Sequence, residues 1–147
     1  MTIKYKYNGK GTYIYSNGDE YIGNWLKGEK QGHGILNTID SARYAGLWSG
    51  NLRSGDGVQK YSNGDRYDGE WINDMRDGQG KMEYAMGDEY DGIWSKDLKN
   101  GQGKQTYSNG ATYFGNWIND MRDGQGKMEY ANGDIYEGGW SKNKILG

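Results

Sequence analysis

From Gly78 to Trp94 the chain reads GQGKMEYAMGDEYDGIW, two runs in which Gly or bulky residues alternate with charged ones around a Gly-containing turn. Alternation with period two marks a strand, and two such runs flanking a Gly turn predict a β-hairpin. Five of the six turns of this kind carry Gly (Gly18, Gly64, Gly87, Gly110, Gly133), four of them as Asn-Gly. Parity selects the loop. A two-residue loop would set Tyr84 opposite Glu89. A three-residue loop over Met86, Gly87 and Asp88 sets Tyr84 opposite Tyr90, Gly80 opposite Trp94 and Met82 opposite Gly92. The second register is preferred, because it gathers Tyr, Gly and Trp on one face and Lys81, Glu83, Glu89 and Asp91 on the other.

The hairpin recurs. Tyr21, Tyr44, Tyr67, Tyr90, Tyr113 and Tyr136 lie at 23-residue intervals; each is followed two residues on by Gly and four on by Trp (Trp25, Trp48, Trp71, Trp94, Trp117, Trp140). Seven residues after each of the first five Trp stands a G-x-G, and a further copy, Gly9/Gly11, precedes the first Tyr. The residue after Trp alternates Leu26, Ser49, Ile72, Ser95, Ile118, Ser141, and the stretch 67–85 returns almost unchanged at 113–131. That alternation fits growth by copying two repeats at a time.

The pattern Y-x-G-x-W-x6-G-x-G resembles the MORN (membrane occupation and recognition nexus) repeat family, with no other domain present. The resemblance implies an all-β fold: an elongated, twisted, single-layer antiparallel sheet of stacked hairpins with an aromatic groove. Read from G-x-G to Trp, residues 1–147 form one domain of six hairpins at about 9–26, 32–49, 55–72, 78–95, 101–118 and 124–141, so the chain looks complete at hairpin level. Single hairpins are marginal in water, so each must stack on its neighbours in a solenoid. Two strands per repeat at about 4.8 Å give a rod roughly 60 Å long. The glycines should form a floor without Cβ atoms, Gly80 with Gly92 lying beneath the Trp94 ring. Hairpin 2, NTIDSARY, has Thr38 for Tyr and Ser41 for the turn Gly, which predicts a different turn and a bend there.

Composition agrees with an aromatic rather than an aliphatic core: Leu, Ile, Val and Phe total 18 residues, against 14 Tyr and 6 Trp, with 27 Gly and no Pro. The net charge of -2 and the regular rings argue against disorder. No segment approaches the roughly 18 apolar residues of a membrane helix, and the N-terminus MTIKYKYNGKG lacks the apolar stretch of a signal peptide, so a cytoplasmic protein is expected. MORN-only proteins are associated with cytoskeletal, ciliary and membrane-apposed assemblies, so the resemblance adds cytoskeletal or membrane association to that expectation.

Catalytic chemistry finds little support. There is no Cys, and the one His, His33, sits inside a G-x-G as an outward-facing strand residue, so no thiol dyad or His-rich zinc site is expected. Neither G-x-x-x-x-G-K-[ST] nor G-x-G-x-x-G occurs, so no nucleotide cofactor is expected. With Gly78 as the central glycine of an EF-hand loop, Met75 and Tyr84 would occupy ligand positions, so no calcium site is expected either. Eighteen basic and 20 acidic residues interspersed give no footprint for nucleic acid, and without a polybasic cluster lipid binding should be weak or absent.

A protein partner is the reading that survives: a non-enzymatic scaffold holding a peptide, a helix or a second copy of itself in a groove lined by Tyr67, Trp71, Tyr84, Tyr90, Trp94, Tyr107, Tyr113 and Trp117. On the opposite face Phe114 should point outward beside Ile93, with Ile35, Ala45, Leu47 and Val58 on the same face of hairpins 2 and 3. The alternative is a peripheral phospholipid-binding or membrane-tethering module.

Overall fold

The computed structural model describes residues 7–147 and contains strands only, in two compact units, Met1–Met75 and Arg76–Gly147. The first holds β1 (Gly9–Ile14), β2 (Glu20–Leu26), β3 (Glu29–Asn37), β4 (Arg43–Ser49), β5 (Leu52–Lys60) and β6 (Arg66–Ile72). The second begins within β7 (Met75–Glu83) and holds β8 (Glu89–Ser95), β9 (Leu98–Thr106), β10 (Thr112–Ile118), β11 (Met121–Glu129), β12 (Ile135–Ser141) and β13 (Lys144–Ile145). Inside each unit every strand pairs antiparallel with the next in the chain, without a crossover. The fold is therefore the expected all-β succession of hairpins.

The expected register is two residues off. Gly78 faces Trp94, Gly80 faces Gly92 and Met82 faces Tyr90. The loop is Ala85–Gly87, closed by Tyr84 N–H to the Asp88 carbonyl at 2.8 Å and Gly87 N–H to the Tyr84 carbonyl at 2.9 Å. This is a type I turn whose third loop residue takes a left-handed conformation, and it wants its glycine last rather than central. Gly87 has φ 107°, and Gly18, Gly64, Gly110 and Gly133 have φ 95–99° at the same place. Both loops have three residues, so the facial assignment survives: Tyr, Gly and Trp share a face. Hairpin 2 corrects a second expectation. Thr38 and Ala42 close the same turn, and Ser41 takes φ 75° in place of glycine. The Thr38 hydroxyl supports it by accepting from Ala42 N–H at 3.1 Å.

A second set of hairpins went unanticipated. Each Trp-bearing strand turns into the next through two residues with positive φ at both: Lys27-Gly28, Gly50-Asn51, Asn73-Asp74, Lys96-Asp97, Asn119-Asp120 and Lys142-Asn143. That is the I′ geometry, whose twist matches that of the flanking strands. Just inside this turn the ladder shifts: Gly92 faces Gly103 and Trp94 faces Lys99, so Ile93 alone stands against Gln102, Gly101 and Asn100. Gly101 bends through φ 117° there.

The two glycines of G-x-G thus have different causes. The first makes the bulge. The second lies under a ring, but the ring is Tyr rather than the expected Trp: a Cβ on Gly103 would stand 2.5 Å from Cε1 and Cζ of Tyr90. Gly34 under Tyr21, Gly57 under Tyr44 and Gly126 under Tyr113 repeat the contact. Gly80 instead meets Trp94 through its carbonyl, which accepts the indole N–H at 3.0 Å.

Candidate interaction surface

The ringed face is built by one tyrosine and one tryptophan per repeat. Tyr90 lies edge-on to Trp94 of its own strand at 5.1 Å and to Trp117 of the next Trp-bearing strand at 5.4 Å; Tyr44 does the same with Trp48 and Trp71 at 4.9 and 5.5 Å. These are favoured T-shaped contacts. Each polar handle is also used. The Tyr90 hydroxyl donates to the carbonyl of bulged Ile93 at 2.9 Å, and Tyr21, Tyr44, Tyr67, Tyr113 and Tyr136 do likewise three residues on. Each Trp indole donates to the carbonyl of a second glycine, as Trp48 does to Gly34 and Trp117 to Gly103, both at 3.1 Å. Burial pushes the hydroxyls of Tyr21, Tyr44 and Tyr113 up to about 12, and that of Tyr90 upward as well.

In each unit, cations that sequence reasoning missed stand over the tryptophans. Lys30, Arg53, Arg76, Lys99 and Arg122 stand over Trp48, Trp71, Trp94, Trp117 and Trp140 at 5.1, 4.2, 4.8, 5.0 and 4.9 Å from the ring centroids. Such contacts are worth more when desolvated. Their signal was the same 23-residue period, a basic residue five after each of the first five Trp. The I′ turns hold them. Asp74 accepts from Arg53 N–H and Nε at 2.8 and 2.9 Å, Asp97 from Arg76 at 2.8 and 3.0 Å, and Asp120 from Lys99 N–H at 2.7 Å. Asn51 and Asn143 take the equivalent place beside Lys30 and Arg122. Burial of Asp74 opposes its ionisation, but the hydrogen bonds and charge of Arg53, with the charge of Lys30, outweigh it and hold the carboxyl below its usual range. Lys99 is enclosed by Tyr84, Tyr90 and Trp117, and this burial lowers its pKa despite Asp120 and Asp88.

The eight expected groove residues therefore divide. Tyr67, Trp71, Tyr90, Trp94, Tyr113 and Trp117 are buried, at 0–3% exposure, and form the core of this face beneath the cations. Tyr84 and Tyr107 are half-buried beside the turns. They line an open depression of about 280 Å³ in the second unit with Lys99, Trp117, Asp120 and Arg122. In the first unit Lys30, Leu36, Arg53, Gln59 and Asp74 line another of about 340 Å³. On the other face Phe114 is 59% and Ile93 37% exposed, but they are not beside each other: Phe114 faces Lys104 and Lys127, and Lys104 faces Asp91. Ile22, Ile35, Ala45 and Val58 form one cross-strand row there in the first unit. His33 is exposed, and no group of three His, Cys, Asp or Glu among the described residues could hold a metal.

Hairpins repeated at 23 residues, with a ring ladder as their core, define a tandem-repeat β protein. The chain belongs to the MORN repeat family, whose pattern matches residues 4–20, 21–37, 44–66, 67–89, 90–112, 113–135 and 136–147. No curated protein sequence matches the chain. Among solved structures it is similar to the SAS-4 (dCPAP) TCP domain of Drosophila melanogaster in complex with a proline-rich motif of Ana2 (dSTIL). Identity is 13% and the TM-score 0.53, over 86% of this chain and 68% of that one. Virginiamycin B lyase from Staphylococcus aureus in complex with quinupristin, in a catalytically inactive H270A form, matches at 14% identity and TM-score 0.22, over 93% of this chain and 43% of that one.

Proposed function

We propose that this chain is a non-enzymatic interaction scaffold that seats an extended segment of a partner protein against the cation-capped aromatic face. The observation that carries the reading is the depression of about 280 Å³ where Tyr84 and Tyr107 present ring area beside Lys99, Arg122, Asp88 and Asp120. Half-exposed rings offer flat apolar contact at little entropic cost, and the flanking charges of both signs can orient a backbone. The TCP domain, similar in fold, is in complex with a proline-rich motif, which supports an extended occupant, since such segments dock on aromatic-lined grooves. Cytoskeletal or membrane-apposed assemblies are the setting this scaffold would serve.

Lipid binding ranks below this reading, because Asp74, Asp97 and Asp120 accompany Arg53, Arg76 and Lys99. A pull-down from native extract tests the surface. Tyr107→Ala, shown folded by circular dichroism, should lose the partners that wild type retains, and Phe114→Ala should keep them. Loss with Phe114→Ala and retention with Tyr107→Ala would move the working surface to the opposite face.

A further inference from the structure

The five cations over the tryptophans differ in how far they satisfy their turns. Arg53 reaches two acceptors at once: Nη1 donates to Gln59 Oε1 at 2.9 Å, while Nε and Nη2 donate to Asp74 Oδ1 and the Asp74 carbonyl, both at 2.9 Å. Arg76 holds Asp97 in the same way, at 3.0 and 3.2 Å. Lys30 and Arg122 stand beside Asn51 and Asn143, which carry no charge. Lys99 is the one lysine of the five set beside an aspartate. Its amine donates to Gln105 Oε1, the counterpart of Gln59, at 2.9 Å, and only its backbone N–H reaches Asp120. A guanidinium fork spans both acceptors; an ammonium does not.

Asp120 therefore keeps one carboxylate oxygen, Oδ2, without a partner among the described residues, and it is exposed where Asp74 and Asp97 are half-buried. It opens on the depression of about 280 Å³ that Tyr84 and Tyr107 line. Met86, 76% exposed, adds apolar area there. The cations nearby are committed elsewhere. Lys99 is held by its rings and Gln105, and Arg122 donates to Oδ1 and the carbonyl of Asn143, both at 3.3 Å. Asp88, on the same depression, uses one oxygen to accept Ser108 N–H at 2.7 Å.

We propose that this depression takes an arginine of the partner segment, its guanidinium donating to Asp120 and its stem lying against Tyr107 and Met86. The proposal rests on the segment-binding reading above and gives that segment its anchor. Arginine fits better than lysine, because its planar head forks onto a carboxylate and stacks on a half-exposed ring. Charge-assisted hydrogen bonds of this kind are the strong ones. The incoming arginine supplies at Asp120 what Arg53 supplies at Asp74. Lysine at position 99 keeps the site open.

Two variants with native precedents test this. Arginine already fills the place of Lys99 at Arg53, Arg76 and Arg122, and asparagine that of Asp120 at Asn51 and Asn143, so Lys99→Arg and Asp120→Asn should both fold. The probes are the peptide acetyl-Pro-Ala-Arg-Ala-Pro-amide and its lysine and citrulline forms, titrated into the isotope-labelled chain and followed by amide chemical shifts. The arginine peptide should move Tyr107 and Asp120, with the lysine form several-fold weaker and the uncharged citrulline form about tenfold weaker or more. Asp120→Asn should weaken the arginine peptide by about the same factor. Lys99→Arg should do so too, although it preserves the charge, because its fork would occupy Asp120. Equal binding of the arginine peptide and either substitute, no binding of the arginine peptide, or undiminished binding to Lys99→Arg overturns the proposal. The native-extract pull-down judges the segment-binding reading separately. If Tyr107→Ala loses its partners while the arginine peptide fails, only the arginine anchor falls; if Tyr107→Ala keeps them, both fall.

Discussion

Tyr90 fills three roles: its ring covers Gly103, its edge meets Trp94 and Trp117, and its hydroxyl satisfies the carbonyl of the bulged Ile93. No aliphatic residue could do all three, which explains a core of Tyr and Trp where Leu and Val are scarce. The cation above follows the same economy, because Arg53 stacks on Trp71 while its guanidinium Nε and backbone N–H both meet Asp74. Asp74 has its pKa held down in the folded chain, so its contribution is present above the ordinary carboxylate value near 4 and is lost as pH falls through the lower folded value. Asn143, which accepts from Arg122 in the same geometry, shows that Asn fits the position. Asp74→Asn should therefore cost stability at pH 7, and the gap to wild type should close in urea melts as pH is lowered from about 5 to 2. An unchanged gap would remove Asp74 from the acid response.

At the scale of the hairpin, conformation and sterics can be separated. A Cβ on Gly110 meets nothing within 4 Å, yet its φ is 96°, so Gly110→Ala should destabilise by about 1–2 kcal/mol through backbone strain alone. Ser41 bears that strain in the native chain, and Ser41→Gly should raise stability by up to about 1 kcal/mol. Equal melts for either pair would contradict the turn assignment. The period-two alternation made the strands, their repetition and the Tyr-Gly-Trp face legible in the sequence. Register was missed by two residues because parity cannot distinguish a glycine in the middle of a three-residue loop from one at its end. The I′ turns were written in Asn73-Asp74 and Asn119-Asp120, but six residues between Trp and G-x-G looked like a connection, since a bulge disrupts the alternation there. The cations escaped because their partners are rings and turns 18 to 21 residues away, visible only once the register is known.

Across the molecule, charge is kept in balance. With 18 basic and 20 acidic residues, and with carboxylates beside Arg53, Arg76 and Lys99, little potential remains to attract anionic headgroups. No salt-sensitive co-sedimentation with phosphatidylserine or phosphoinositide vesicles is expected at physiological ionic strength. Robust binding that disappears at high salt would place the lipid reading first. The fold's core is a tyrosine laid on a glycine, repeated along the chain. Equilibrium unfolding in urea of Gly103→Ala beside Lys104→Ala tests it most directly. The first puts a methyl 2.5 Å from the Tyr90 ring on the buried face, and the second truncates an exposed side chain on the other face. Gly103→Ala should cost about 2 kcal/mol or more and Lys104→Ala within about 0.5 kcal/mol of zero. Equal stability of the two variants would mean that the Tyr90 ring does not rest on Gly103.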